Sequence, residues 1–160
     1  MTFVANPPSS QIEQLPETEA MVINDGFFPD IDPAAVRAAA RVPNSITPPR
    51  LRGAIVGAIM TALADLRGFA AASIAAGHPT LAAVPAPQID GASTHVHAYR
   101  RAIALFCKAE LIERHRDFDS TAAGANQASE LEGSIGDLRR DAQHAIRDIL
   151  GRTRTTVDLI

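Results

Sequence analysis

Five histidines, one cysteine and eighteen carboxylates are the side chains of this 160-residue sequence whose types could do chemistry. Their spacing decides whether they do. His95-x-His97 offers two imidazoles, but residues two apart on a helix point to nearly opposite sides. No carboxylate pair stands nearby at metal-ligand spacing, so no metal is expected there. Glu110, Glu113 and His115 lie close together, yet a di-metal bundle takes a Glu-x-x-His motif from each of two helices, and the sequence contains none. Glu110 four residues before Arg114, and Glu113 three before Arg116, read instead as surface ion pairs on a helix. Asp30-x-Asp32 and Asp117-x-Asp119 lack the Gly and Glu placement of a calcium loop and suit caps and turns. Cys107 follows Phe106 in an apolar stretch, the setting of a buried, inert thiol. No nucleophile elbow, phosphate-binding loop or dinucleotide fingerprint occurs. The residues therefore argue neither for an enzyme nor for a cofactor.

The elements that would position these side chains are helices. Asp32-Pro33 and Thr47-Pro48 are helix starts, because the first residue accepts orphan N–H groups and Pro at the first helical position forfeits no hydrogen bond. A short helix is expected from Pro33 to about Val42. A long one follows to about Ala76, with a stripe of Leu51, Ile55, Ile59, Leu63, Leu66, Ala70 and Ile74, ended by Gly77. A connector with Pro79, Pro85, Pro87 and Asp90-Gly91 tucks in through Leu81, Val84 and Ile89. Ser93 or Thr94 caps a third helix that carries Val96, Tyr99, Ile103, Phe106, Ala109 and Ile112 to about Arg116. Residues 117–127 read as a second connector. A helix from about Ala128 to Leu150 follows, with Leu131, Ile135, Leu138, Ala142, Ala145 or Ile146, and Ile149 on one face, and it ends at Gly151. Residues 1–24 read as a flexible arm, either disordered or ordered on a neighbour. Residues 152–160 turn β-branched and read as an extended tail, and a lone strand must find a backbone partner, for which another chain is one source. The expectation is an all-α bundle of one short and three long helices (25–151) with an extended segment at each end.

Composition bounds the rest. The hydrophobic share is 46% but rests on about 30 alanines, and aromatics make up 4%. Alanine favours helix and buries little area, so the core is thin and neighbours are expected to finish its burial. A net charge of −3 lacks the footprint of a dedicated nucleic-acid binder. The apolar run Gly53–Ala64 is shorter than a membrane span, and its Gly53-x-x-x-Gly57 spacing reads as close approach of two soluble helices. Fourteen arginines stand against one lysine, with doublets at Arg50/Arg52, Arg100/Arg101, Arg139/Arg140 and Arg152/Arg154. These suit bidentate interface pairing or reflect genome composition equally well.

One ordered set of segments carries a resemblance. Phe27-Phe28-Pro29-Asp30-Ile31-Asp32-Pro33 opens a helix, and Pro49-Arg50-Leu51-Arg52 enters the next. The connector runs through Leu81-Ala82-Ala83-Val84-Pro85 to Ile89-Asp90-Gly91. Tyr99-Arg100-Arg101-Ala102, Glu113-Arg114-His115-Arg116 and Ile135-Gly136-Asp137-Leu138-Arg139-Arg140-Asp141 follow. From about Asp25 to Ile160 this order resembles the head completion proteins (GPL type) of temperate contractile-tailed phages. The resemblance implies a virion protein made in the host cytoplasm and placed in the phage neck. It implies a ring, matching a twelvefold portal, that assembles after DNA packaging, extends the channel and carries the next neck or tail component. DNA would pass without tight binding, and no membrane is involved. Arg152, Arg154, Val157, Leu159 and Ile160 are the expected portal or neighbour contacts. Phe27, Phe28, Pro29, Asp30, Asp32, Arg50 and Arg52 are motif or interface candidates, and Gly53, Gly57 and Ala58 are subunit-packing candidates. The competing readings are a small helical interaction or regulatory protein and a helical enzyme using His95, His97 or His115.

Overall fold

Twenty-eight residues from Pro48 to Ala75 form one helix, α2, after an eight-residue helix α1 (Pro33–Ala40). Helices α3 (Thr94–Arg116) and α4 (Ala122–Ile149) complete the bundle. The computed structural model describes the backbone of residues 19–116 and 122–153 and the side chains of residues 19–114 and 135–153. The expected stripe residue Leu131, Arg116 of the expected Glu113–Arg116 pair and the whole of the expected second connector (117–127) fall outside the described side chains. Helix α4 begins at Ala122, earlier than the spacing of its apolar residues predicts.

Helix α3 is the centre of the bundle, since α1, α2 and α4 all pack on it. Its Tyr99, Ala102, Ile103 and Cys107 are fully buried. Helix α2 contributes Leu51, Ala54, Ile55, Ala58, Ile59, Ala62, Leu66, Ala70 and Ser73, and α4 contributes Ala142, Ala145, Ile146 and Ile149. One expected stripe residue and one residue expected to tuck the connector in lie elsewhere. Ile74 and Ile89 are exposed, the first because the buried stripe of α2 ends on Ala70 and Ser73. By length and composition α2 is apolar enough to cross a membrane; in this fold nine of its residues are buried.

The helix ends follow the local code except at the start of α2, where Thr47 precedes the helix as expected but makes no side-chain cap bond. Asp32 accepts from the Ala34 N–H at 2.9 Å. Gly77 takes φ 91 beyond α2, where its N–H donates to Ile74 C=O and the His78 N–H to Ser73 C=O. Gly151 does the same after α4 at φ 63. Helix α1 ends in the same paired bonds, Arg41 N–H to Ala38 C=O and Val42 N–H to Arg37 C=O, but with Arg41 at φ 51. A side chain there is strained. The connector holds a feature the spacing did not reveal, a two-residue hairpin. Strands β1 (Gln88–Ile89) and β2 (Ala92–Ser93) pair across Asp90-Gly91, both at positive φ, as a type I′ turn requires. Ser93 is buried, and its Oγ accepts from the His95 N–H at 3.3 Å.

Residues 19–24, expected as the end of an arm, are instead fastened to the bundle. Val22 and Ile31 exchange main-chain hydrogen bonds of 2.8 and 3.0 Å. Glu19 pairs with Arg37, both largely buried. The Asn24 amide donates to Tyr99 Oη at 2.8 Å. Phe28 stacks on Tyr99 with centroids 4.9 Å apart, and Phe27 meets Phe28 edge-on. The Asp25 carboxylate accepts from the N–H groups of both phenylalanines, at 3.0 and 3.1 Å, which sets the turn at Gly26.

Two outcomes are expected. Arg41→Gly relieves the left-handed strain and, after the entropy glycine adds to the unfolded chain, stabilises by about 0.5–1 kcal/mol in a denaturant melt. Burial pushes the Tyr99 phenol up to about 12, an effect the Asn24 bond opposes and the Asp25 carboxylate reinforces. Its contribution is thus complete below the free phenol pKa of about 10 and lost as pH rises through the folded value. Tyr99 is the single tyrosine, so the ultraviolet phenolate band should remain absent at pH 10.5 in the folded protein (about half a unit above the free value). Titration at the free value would contradict its burial.

Candidate functional site

The histidines and the cysteine among the described residues lie apart from one another. The His95 ring packs edge-on to Phe69 of α2 at 5.8 Å, and burial holds its pKa below the ordinary imidazole value. His97 lies on another side, with Nε2 2.8 Å from Ile89 C=O; a carbonyl can only accept, so Nε2 carries the proton. The two rings diverge, as their spacing predicts. Among the described residues no group of three or more His, Cys, Asp or Glu could hold a metal ion. Cys107 is fully buried, and its thiol is pushed up to about 12 by that burial and by the nearby Glu110 carboxylate. At neutral pH it is protonated, which removes it as a nucleophile. Glu110 pairs with Arg114 at 2.8 Å, as expected, while Glu113 reaches Arg139 of α4 at 2.5 Å.

The motif residues are divided by the fold. Phe27 and Phe28 are core, at 5% and 3% exposure, so they are not free to form an interface. Pro29 is half-buried, and its C=O accepts from the Asn24 amide. Asp30 accepts from the Asn24 N–H at 2.8 Å, and Asp32 caps α1. Arg52 donates to Ala20 and Met21 C=O, at 2.9 and 3.4 Å, and so clamps the incoming segment. Arg50 is exposed at the start of α2. The run Phe27–Pro33 is therefore a fastening device: it holds residues 19–31 on α3 and leaves only its acidic residues at the surface.

The small-residue candidates separate as well. Ala58 is 2% exposed, so its methyl faces the core of its own bundle rather than another subunit. The Glu110 carboxylate lies over Gly57, where a Cβ would come within 2.5 Å of Oε2. Gly53 is exposed, with open space above it. Arg152 is exposed directly after α4. Arg154, Val157, Leu159 and Ile160 lie outside the described residues.

A surface that the sequence reading missed begins at Gly53. Val56, Met60 and Ile74 of α2 are 41%, 67% and 53% exposed, and Ala64 and Ala71 on the same side are exposed too. Their spacing places these on one face, which the exposed Arg67, three residues after Ala64 and four before Ala71, interrupts with a charge. The available signal was that α2 is apolar nearly all round. A helix of that kind is ordinarily buried on all sides, whereas this face of α2 is left exposed among the described residues.

Comparison with known proteins gives this architecture a family. No solved structure matches the chain. The head completion/stabilization protein of Escherichia phage P2 is 39% identical over 142 residues, spanning 89% of this chain and 84% of that protein. A family model described as phage head completion protein (GPL) matches residues 22–160, which begin at Val22, the residue that pairs with Ile31 in the fastened segment. With a model match over nearly its whole length and that degree of identity to the P2 protein, the chain belongs to the phage head completion protein (GPL) family.

Proposed function

We propose that this protein completes the phage head as a structural component of the neck, assembling side by side with copies of itself into a ring on the portal after DNA packaging. The observation that carries the ring is the outer face of α2, where Gly53, Val56, Met60 and Ile74 lie uncovered on a 28-residue helix. Exposed large apolar side chains in a row mark an interaction surface more often than chance scatter. Packing them on a neighbour would complete the burial that an alanine-rich core leaves unfinished. Family membership supports the head-completion role, and the twelvefold ring is adopted to match the expected portal symmetry.

In this reading the tail carries portal attachment. Arg152 and Arg154 pair with acidic groups, a task for which the planar guanidinium is suited. Val157, Leu159 and Ile160 supply burial. The ring then extends the DNA channel and presents a platform to the next neck or tail component. Passing DNA must not be gripped, and the net charge of −3 suits a wall of that kind. A small helical regulator remains the alternative, distinguished by binding a host protein in place of portal.

Two experiments test this. A chain lacking residues 152–160 should keep the helical signal and melt of the full chain while losing portal binding in a co-sedimentation assay. Normal binding by that truncated chain would refute the assignment of the tail. In titrations from 50 to 200 mM salt, a range over which phosphate-gripping proteins lose about 10³–10⁵ in affinity, the isolated protein should show no tight DNA binding. A steep, high-affinity isotherm would count against a sliding channel wall.

A further inference from the structure

Between α1 and α3 lies a groove of about 580 Å³. Alanines line it from both helices, Ala39 and Ala104 among them, together with Leu105. Arg100 and Arg101 line it from α3, and Asp30 and Asp32 from the segment before α1. Among the described residues neither arginine forms an ion pair. Small side chains let another backbone approach closely, and the unpaired guanidinium groups favour an occupant with a carboxylate.

The groove also carries an open backbone edge. Ile31 spends its N–H and C=O on Val22. In antiparallel pairing the residues on either side turn their polar groups to the opposite edge. Asp30 C=O and Asp32 N–H therefore face away from Val22, and neither has a main-chain partner among the described residues. These are the two groups that an added strand would bond.

The chain itself contains a segment of matching chemistry. Residues 154–160 read Arg-Thr-Thr-Val-Asp-Leu-Ile, a composition that suits a strand. In an extended segment Val157 and Leu159 share one face and Asp158 takes the other. The apolar pair fits the alanine-lined groove, while Asp158, on the opposite face, is within reach only of an arginine at the rim, where Arg100 and Arg101 are both exposed. The tether is short enough. Arg101 also lines a recess with Asp141, His144, Ala145 and Asp148, so the last turns of α4 lie beside the groove. Thr153 follows Asp148 by five residues, so residue 154 begins within about 20 Å of that recess. Tethering gives an effective concentration on the order of millimolar, which favours the chain's own groove over that of a separate copy.

We propose that in the free protein residues 154–160 add as an extended strand to the Asp30–Asp32 edge, within the chain's own α1/α3 groove. Docking there covers Val157 and Leu159 until an assembly partner takes them. The proposal stands independently of the portal reading, because it concerns the unassembled chain. Hydrogen exchange at the Asp32 amide tests it. In the full chain this amide should exchange about tenfold or more slowly than in a chain ending at Thr153, with α3 core amides unchanged. Full-length Leu159→Asp should exchange as fast as the shortened chain. Equal Asp32 rates in the full and shortened chains would overturn the proposal, and so would retained protection in Leu159→Asp. Protection that grows with protein concentration would also overturn it, since a second copy would then cover the edge.

Discussion

The stacking of Phe28 on Tyr99 is the contact on which the rest of the described fold depends. The chain has six phenylalanines, one tyrosine and no tryptophan, so aromatic burial is scarce. Both rings are almost wholly buried, and a buried aromatic of this kind contributes roughly 1.5–3 kcal/mol. Tyr99 lies on the central helix and Phe28 on the segment that wraps toward α1. The contact thus ties the N-terminal segment to the element on which α1, α2 and α4 all pack. The Asn24 amide satisfies the phenol, and the Asp25 carboxylate holds both phenylalanine N–H groups. Polar bonds orient the segment, and aromatic area supplies most of the free energy.

The same scarcity shapes the surface. A core built from alanine permits helices to approach closely, but each residue removes little apolar area from water. Helix α2 compensates by being apolar nearly all round, and that leaves Val56, Met60 and Ile74 uncovered. For an isolated chain such a face is a liability. In the proposed ring, that face would meet a neighbouring copy. The arginine-rich surface is consistent with this, because Arg37 and Arg52 already serve within the chain as clamps on residues 19–21, one by ion pairing and one by binding carbonyls.

Family membership and physical chemistry converge on a structural role. His95 packs against Phe69, His97 is tied to a carbonyl of the hairpin, and Cys107 is held protonated in the core. Each of these three groups has a position that accounts for it without chemistry. What the described surface offers instead is shape and bonding capacity: an apolar helix face, an alanine-lined groove and an open stretch of backbone.

Local rules were legible in the sequence because they depend on neighbours in the chain. Asp32-Pro33 starts a helix by capping geometry, Gly77 and Gly151 end helices by tolerating positive φ, and the three-and-four spacing of Leu51, Ile55, Ile59 and Leu66 marks a buried face. What depends on contacts remote in sequence was not legible. Asn24 meets Tyr99 across 75 residues, and that meeting turned residues 19–24 from an expected arm into part of the bundle. The spacing marked the buried side of α2 but not its limits: it left Ala58 for a subunit contact and counted Ile74 as core, whereas the packing of the bundle took Ala58 inside and left Ile74 exposed. The sequence alone determined the number and order of the helices and that reactive clusters were not to be expected. Tertiary structure decided which apolar residues remain for a partner, because burial is a property of the surface opposite and not of the side chain itself.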